Sequence, residues 1–151
     1  MNNVKRLAPV AARVLLGLVF FVFGLNGFLQ FLPQPPAPAA AAAFAGGLAA
    51  SGYFFPMLKA IEVAAGALLL TNRYVPLALT VLAPIVVNIV LFHVFLAPGN
   101  PVAWLVLALE IYLAFVYRSA FRPMLAARVQ PDAAAAPGAA QRSARPVESA
   151  A

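Results

Sequence analysis

Basic residues fall on one side of four long apolar runs, and this arrangement constrains the chain more than any other feature. The runs are Val14–Leu32, Pro56–Leu70, Val75–Leu96 and Val102–Tyr117. Each approaches the roughly 20 predominantly apolar residues with which a helix crosses hydrocarbon. When the runs are threaded in order as spans, nine of the ten Lys and Arg residues lie on the same side. They are Lys5, Arg6, Arg13, Arg73, Arg118, Arg122, Arg128, Arg142 and Arg145. By the positive-inside rule, both termini are predicted to be cytoplasmic.

The composition also favours a membrane protein. Hydrophobic residues make up 64% of the chain and charged residues 9%, whereas soluble proteins contain about 25% charged residues. We therefore predict an all-α, integral membrane four-helix bundle over residues 14–117. A cytoplasmic leader, residues 1–13, precedes it, and a cytoplasmic, largely disordered, Ala/Pro-rich tail, residues 118–151, follows it.

The net charge of +6 could suggest nucleic acid. The basic residues flank apolar runs and form no stripe with interleaved aromatic residues, so the expected partners are the lipid bilayer and its anionic headgroups at the cytoplasmic face, and no nucleic acid. The chain has no cysteine, which excludes disulfides, thiolate metal sites and iron–sulfur clusters. The lone His93 lacks the second ligand that a haem or metal site ordinarily needs.

The first run could instead be a secretory signal, because Lys5 and Arg6 precede it and the small residues of PAPAAAAAFA follow it. However, Val14–Leu32 is longer than the roughly 7–15 residues of a signal core and contains Asn26 and Gln30. Cleavage would also leave three spans, and the distribution of the basic residues would then have no explanation. We therefore interpret the run as a membrane span.

The connection between the first two runs contains no charged residue. Pro38 suits a first helical turn, the Ala run has high helix propensity, and Gly52 can end a helix. This pattern predicts a short interfacial helix, Ala39–Ser51, on the outer side, and a flexible linker is the alternative. The turns at residues 71–74 and 98–101 are tight, so the helices that they join should be antiparallel neighbours.

Polar residues inside the runs are the candidate functional groups, since ionisable groups in a membrane need a partner or a wet cavity. The candidates are Asn26, Gln30, Lys59, Glu62, Asn88, His93 and Glu110. At about 1.5 Å per residue, Asn26 and Glu62 lie roughly 9 Å below the outer ends of their runs. Asn88 and Glu110 lie roughly 12 Å below theirs. One polar group from each helix thus reaches a similar level, which predicts a pocket in the outer half.

The spacing along each helix adds further expectations. Lys59 and Glu62 share a face and can pair at i,i+3. Gly17, Gly24 and Gly27 form a stripe of small residues suited to close helix packing. At about 100° of rotation per residue, the His93 side chain is predicted to point away from Asn88 and toward the headgroups. For all seven candidates, a structural role as ion pairs or interhelical hydrogen bonds remains the alternative to ligand binding.

The segments RVLLGLVFFVFGLNGFLQFLPQPP and YFFPMLKAIEVAAGALLLTNRYVPLALTVLAPIVVNIVLFHVFLAPG, with the helix that carries Glu110, resemble the DoxX family of small four-helix bacterial membrane proteins. The resemblance rests on Arg13 with Gly17, on Glu62 with Gly66, and on the polar residues of the third run. It implies a multi-pass protein of the bacterial cytoplasmic (inner) membrane. For some relatives it also implies association with quinone-linked oxidoreductase or oxidative-stress complexes.

Three functions remain open. The chain could be a membrane subunit for a redox partner protein, with a quinone as its ligand and no metal or covalently bound cofactor. It could be a structural or assembly partner of other membrane proteins without a ligand. It could be a small transporter that uses Glu62 and Glu110 as proton-linked groups. No catalytic signature in the chain indicates an enzyme acting alone.

Overall fold

The structure is a computed structural model that describes residues 2–33 and 36–129, with side chains from Arg6 onward. Within these residues every regular element is a helix. The helices are α1 (Asn2–Leu29), α2 (Ala39–Ala50), α3 (Phe54–Leu70), α4 (Val75–Phe95), α5 (Pro101–Val116) and α6 (Arg118–Phe121). All six belong to one compact unit that ends at Phe121. The tail predicted over residues 118–151 begins with the short helix α6. From Gln130 onward it lies outside the described residues.

The helices differ in their capacity to cross a membrane. The part of α1 from Arg6 to Leu29 and the whole of α4 are long and apolar enough to do so. The pair α2 and α3 passes the same test only jointly and is bent by 94° at its junction. α5 is apolar but has 16 residues. The described residues therefore contain two candidate spans, or three if the bent pair counts as one.

Local sequence signals explain where the shorter helices begin and end. Pro38 is the N-cap of α2, and Gly52 follows its C-cap with φ +74°, the left-handed conformation that glycine adopts without strain. The helix predicted between them is thus confirmed, and the linker alternative is wrong. At α5 the side chain of Asn100 accepts a hydrogen bond from Val102 N–H at 2.9 Å, which satisfies one of the free donors of the first turn.

α1 is longer than the apolar run that predicted it. It begins at Asn2 and continues through Pro9, so most of the predicted leader is helical. Hydrophobicity marks where a chain can meet lipid, but a helix can extend beyond that stretch. One consequence is that Arg13 lies inside α1 and not in a loop.

α1 and α3 pack closely against each other because glycines line their interface. A Cβ atom on Gly66 would lie 2.6 Å from the backbone nitrogen of Phe21. One on Gly17 would lie 3.2 Å from the carbonyl oxygen of Gly66, and one on Gly24 would lie 2.8 Å from Val63 Cγ2. Residue numbers rise along α1 as they fall along α3, so the two helices are antiparallel. The predicted stripe of small residues is confirmed as this contact.

Further contacts connect α1 with α5 and α4 with both α3 and α5, and α2 packs against α3. The core lies toward the end of this arrangement that contains the turn between α3 and α4, which we call the Arg73 end. Its largest fully buried side chains include Leu16, Leu69, Leu79, Leu82 and Leu113. The opposite end, which we call the α2 end, contains two cavities.

Candidate functional site

The two cavities lie side by side at the α2 end and differ in their walls. The first, which we call the apolar cavity, has a volume of about 350 Å³ and receives residues from α1 through α5. The second, which we call the polar cavity, has a volume of about 630 Å³ and lies between the end of α1 and the start of α3. Phe23, Phe55 and Lys59 line both cavities. These side chains therefore form the boundary between them.

The walls of the apolar cavity are mainly aromatic and aliphatic. Its aromatic residues are Phe20, Phe23, Phe44, Phe55 and Phe92. Its polar residues are Lys59, Glu62, Asn88, His93 and Asn100. α2 closes one side, where the rings of Phe44 and Phe92 lie 5.9 Å apart between centroids. An apolar site with a few convergent polar groups is typical of small-molecule binding.

Lys59 and Glu62 form the predicted ion pair. Lys59 Nζ donates a hydrogen bond to Glu62 Oε2 at 2.8 Å, and it also lies 5.5 Å from the centroid of the Phe55 ring. The Lys59 side chain is 17% exposed and that of Glu62 is 5% exposed. The ammonium group is therefore the more accessible member of the pair, and the carboxylate depends more on its partner.

Glu62→Ala should lower the free energy of unfolding by about 1–3 kcal/mol, because it removes a hydrogen bond between charged groups and leaves Lys59 without its carboxylate. The double variant Lys59→Ala with Glu62→Ala should be more stable than Glu62→Ala alone, since it leaves no unpaired charge. Unfolding in detergent, followed by helical circular dichroism, measures both. Equal stabilities of the single and double variants would contradict the pairing.

His93 lines the apolar cavity together with Asn88. The helical spacing had predicted that the two side chains point in different directions. Asn88, Ile89, Phe92 and His93 all border this cavity and together span a sector of about 140° on α4. The cavity thus extends around the end of the helix. His93 Nδ1 lies 2.8 Å from the carbonyl oxygen of Ile89, and because a carbonyl only accepts, Nδ1 is the donor. In the neutral ring, Nε2 is then an acceptor for a ligand.

The polar cavity contains Asn26 and Gln30, one helical turn apart at the end of α1. Asn26 is buried, and its Oδ1 accepts a hydrogen bond from Leu32 N–H at 2.7 Å. This contact fixes the chain as it leaves α1, where Gln30 adopts the left-handed conformation with φ +50°. Asn26 therefore has a structural role in its own segment.

Glu110 lies apart from both cavities. It belongs to the inward stripe of α5 with Ala103, Val106 and Leu113 and is 6% exposed. No donor among the described residues reaches its buried Oε2. The predicted grouping of Asn26, Glu62, Asn88 and Glu110 is thus divided: Glu62 and Asn88 share the apolar cavity, Asn26 lines the polar cavity, and Glu110 lines neither.

The sequence analysis did not identify two parts of the apolar cavity, its aromatic wall and Asn100. The aromatic wall of the apolar cavity could not be distinguished from lipid-facing residues, because both are apolar. Asn100 was treated only as part of a turn, although an Asn before Pro at the start of a helix is a recognisable N-cap signal. It lines the apolar cavity while it caps α5.

Comparison with known proteins adds no relative: neither a protein-family model nor a curated protein nor a solved structure matches the chain.

Proposed function

We propose that the chain is a multi-pass protein of the bacterial inner membrane, similar to the DoxX family, with both termini in the cytoplasm. In this proposal α1, α3, α4 and α5 form a four-helix membrane bundle. The proposal is supported by the two long candidate spans and by the basic residues on one side of the runs. It is also supported by the contacts that connect α1 to α3, α3 to α4, α4 to α5 and α5 back to α1. α5 measures roughly 24 Å at 1.5 Å per residue, a mismatch that local bilayer thinning can accommodate.

Within this bundle the apolar cavity holds the headgroup of a quinone, and the chain serves as a membrane subunit of a quinone-linked oxidoreductase or oxidative-stress complex. The observation that carries this proposal is the combination of aromatic walls with both donors and acceptors in one cavity. The two carbonyl oxygens of a quinone accept hydrogen bonds, whereas the hydroxyl groups of a quinol donate them. Lys59 and the amide of Asn88 supply donors, and the Glu62 carboxylate and His93 Nε2 supply acceptors.

The electrons would come from a partner protein. The chain has no cysteine and one histidine, so it lacks the ligand sets that hold iron–sulfur clusters or bis-histidine haem. Its own contribution is to bind and orient the quinone between aromatic faces. This division assigns chemistry to the partner and ligand binding to the chain.

A structural role without a ligand is the second candidate, and the bond between Asn26 and Leu32 favours it. This hydrogen bond and the Lys59–Glu62 ion pair are contacts between groups of the chain itself, as a structural role would require. The transporter alternative has less support, because Glu62 lines the apolar cavity and Glu110 lines neither cavity. Neither of the two cavities is lined by both carboxyl groups.

Ala45→Trp should remove most of the quinone that co-purifies with the protein from native membrane, because Ala45 lines the apolar cavity and an indole would occupy it. The matched control is Ala43→Trp, which places the same side chain on the exposed side of α2. Extraction and chromatography of quinone per mole of protein measure retention, and thermal unfolding measures stability.

Glu110→Gln provides a further control, since it changes a buried group outside both cavities while keeping size and hydrogen-bonding capacity. It should retain quinone at the wild-type ratio. If wild-type protein carries no quinone, or if retention in all variants follows stability alone, the quinone proposal is wrong and the structural candidate stands.

A further inference from the structure

We propose that the polar cavity is a water-filled entrance through which water and protons reach the Lys59–Glu62 pair from the outer side of the membrane. This inference rests on the orientation and membrane placement given under the proposed function. It adds a second, hydrophilic route to a site whose ligand is hydrophobic.

The first support is the size and chemistry of the polar cavity. Its volume of about 630 Å³ accommodates several water molecules, each of which occupies about 30 Å³ in the liquid. A buried water needs two to four polar partners. Asn26, Gln30 and Lys59 provide them around the same space. The wall also contains the apolar residues Phe23, Leu32, Pro33 and Phe55.

The second support is the position of Lys59 in the wall that separates the two cavities. An ammonium group has three donors, and the described contacts give Lys59 one acceptor, Glu62 Oε2. The other donors need oxygen partners, since an unsatisfied ammonium is costly in hydrocarbon. The apolar cavity offers mainly aromatic and aliphatic walls there, whereas the polar cavity can offer water.

The third support is the gradient of exposure along this route. Gln30 at the end of α1 is exposed, the Lys59 side chain is 17% exposed, and that of Glu62 is 5% exposed. The bond from Leu32 N–H to Asn26 Oδ1 holds the exit of α1 in a fixed path. Accessibility therefore decreases from the mouth of the polar cavity to the carboxylate.

Gly27 contributes to the same space from α1. A Cβ atom there would overlap with the aliphatic part of the Lys59 side chain, since it would lie 2.6 Å from Lys59 Cδ. The absence of a side chain at Gly27 thus leaves room for Lys59 to lie across the boundary between the cavities. The ammonium can interact with Glu62 on one side and with water on the other.

Cysteine accessibility tests this proposal directly, because the chain has no cysteine of its own. Single variants Phe23→Cys and Asn26→Cys place a thiol in the wall of the polar cavity. Leu25→Cys and Phe28→Cys are the matched controls, since each lies within two residues of a probe position on α1 and lines neither cavity. The probe is a charged, membrane-impermeant maleimide applied to the outer side of intact cells or oriented vesicles.

We expect positions 23 and 26 to react at least on the order of tenfold faster than positions 25 and 28, because a thiol in water forms the reactive thiolate and one in an apolar environment does not. Using two probe positions guards against loss of the Asn26 hydrogen bond in one variant. Equal reaction at all four positions would mean that α1 is simply exposed there, and the entrance would be rejected.

Two further cysteines separate failure of the entrance from failure of the orientation. Ala50→Cys, at the exposed end of α2, should react with the outer reagent, and Arg73→Cys should not. If Ala50→Cys reacts but positions 23 and 26 do not, the entrance is wrong and the orientation stands. If Arg73→Cys reacts and Ala50→Cys does not, the orientation is wrong and the outer entrance falls with it.

Discussion

Gly66→Ala should lower the free energy of unfolding by about 1–3 kcal/mol, the usual range for overpacking a tight contact. The added methyl group would lie 2.6 Å from the backbone nitrogen of Phe21 and 2.9 Å from the carbonyl oxygen of Gly17. Both atoms belong to the backbone of α1, so neither can move aside as a flexible side chain could. The two helices must therefore move apart at this contact. The resulting loss of stability is measurable as a lower midpoint in detergent unfolding.

Gly47→Ala is the control for this prediction. Gly47 lies in the middle of α2, and nothing lies within 4 Å of a Cβ atom built there. Alanine is favoured over glycine in a helix interior by about 1 kcal/mol, so this variant should be as stable as wild type or more stable. A loss of stability as large as that of Gly66→Ala would show that the contact between α1 and α3 is not the cause.

Arg13→Met should also be strongly destabilising, by about 1.5–3 kcal/mol for each charge-assisted hydrogen bond that is lost without a substitute. Arg13 is 7% exposed, and its Nη1 donates to the carbonyl oxygens of Leu69 and, at 3.3 Å, Leu70. These carbonyls lie at the C-terminal end of α3, where a cation also interacts favourably with the helix dipole. Methionine keeps most of the aliphatic length but provides no donor.

Arg6→Met is the matched control, since Arg6 lies seven residues earlier on the same helix and its side chain is exposed. Arg6→Met should change the free energy of unfolding by much less than Arg13→Met does. Lys at position 13 should give an intermediate result, because it keeps the charge but loses the planar group that can reach two acceptors. Identical stabilities of the Arg6 and Arg13 variants would contradict the proposed role of Arg13.

Much of the fold could be predicted from the sequence, because apolar runs and turn residues act locally. The runs Pro56–Leu70 and Val75–Leu96 match α3 and α4 closely, and Pro38 and Gly52 delimit α2. The Lys59–Glu62 pair was also predictable, since an i,i+3 contact depends only on helical geometry.

The composition of the site was less accessible to sequence reasoning. Counting depth along each helix placed Glu110 level with Asn88, but depth does not determine how a helix is rotated about its axis. Glu110 consequently lies outside both cavities. Arg13 was interpreted as a charge that sets topology and as part of the family resemblance. Its contact with α3 was not predicted, because its acceptors are 56 and 57 residues away in the chain. Tertiary contacts of that range leave no local pattern.

α2 forms one wall of the apolar cavity but takes little part in the packing of the other helices. Ala41 is its only buried residue, yet Phe44, Ala45 and Leu48 line the apolar cavity. Its ends are set by the backbone preferences of Pro38 and Gly52, so the residues between them can change while the segment stays helical. Substitutions that change the shape of the apolar cavity can therefore accumulate in α2 without weakening the α1–α3 contact. Under the proposed function, these 12 residues are the segment to randomise when a new ligand preference is to be selected.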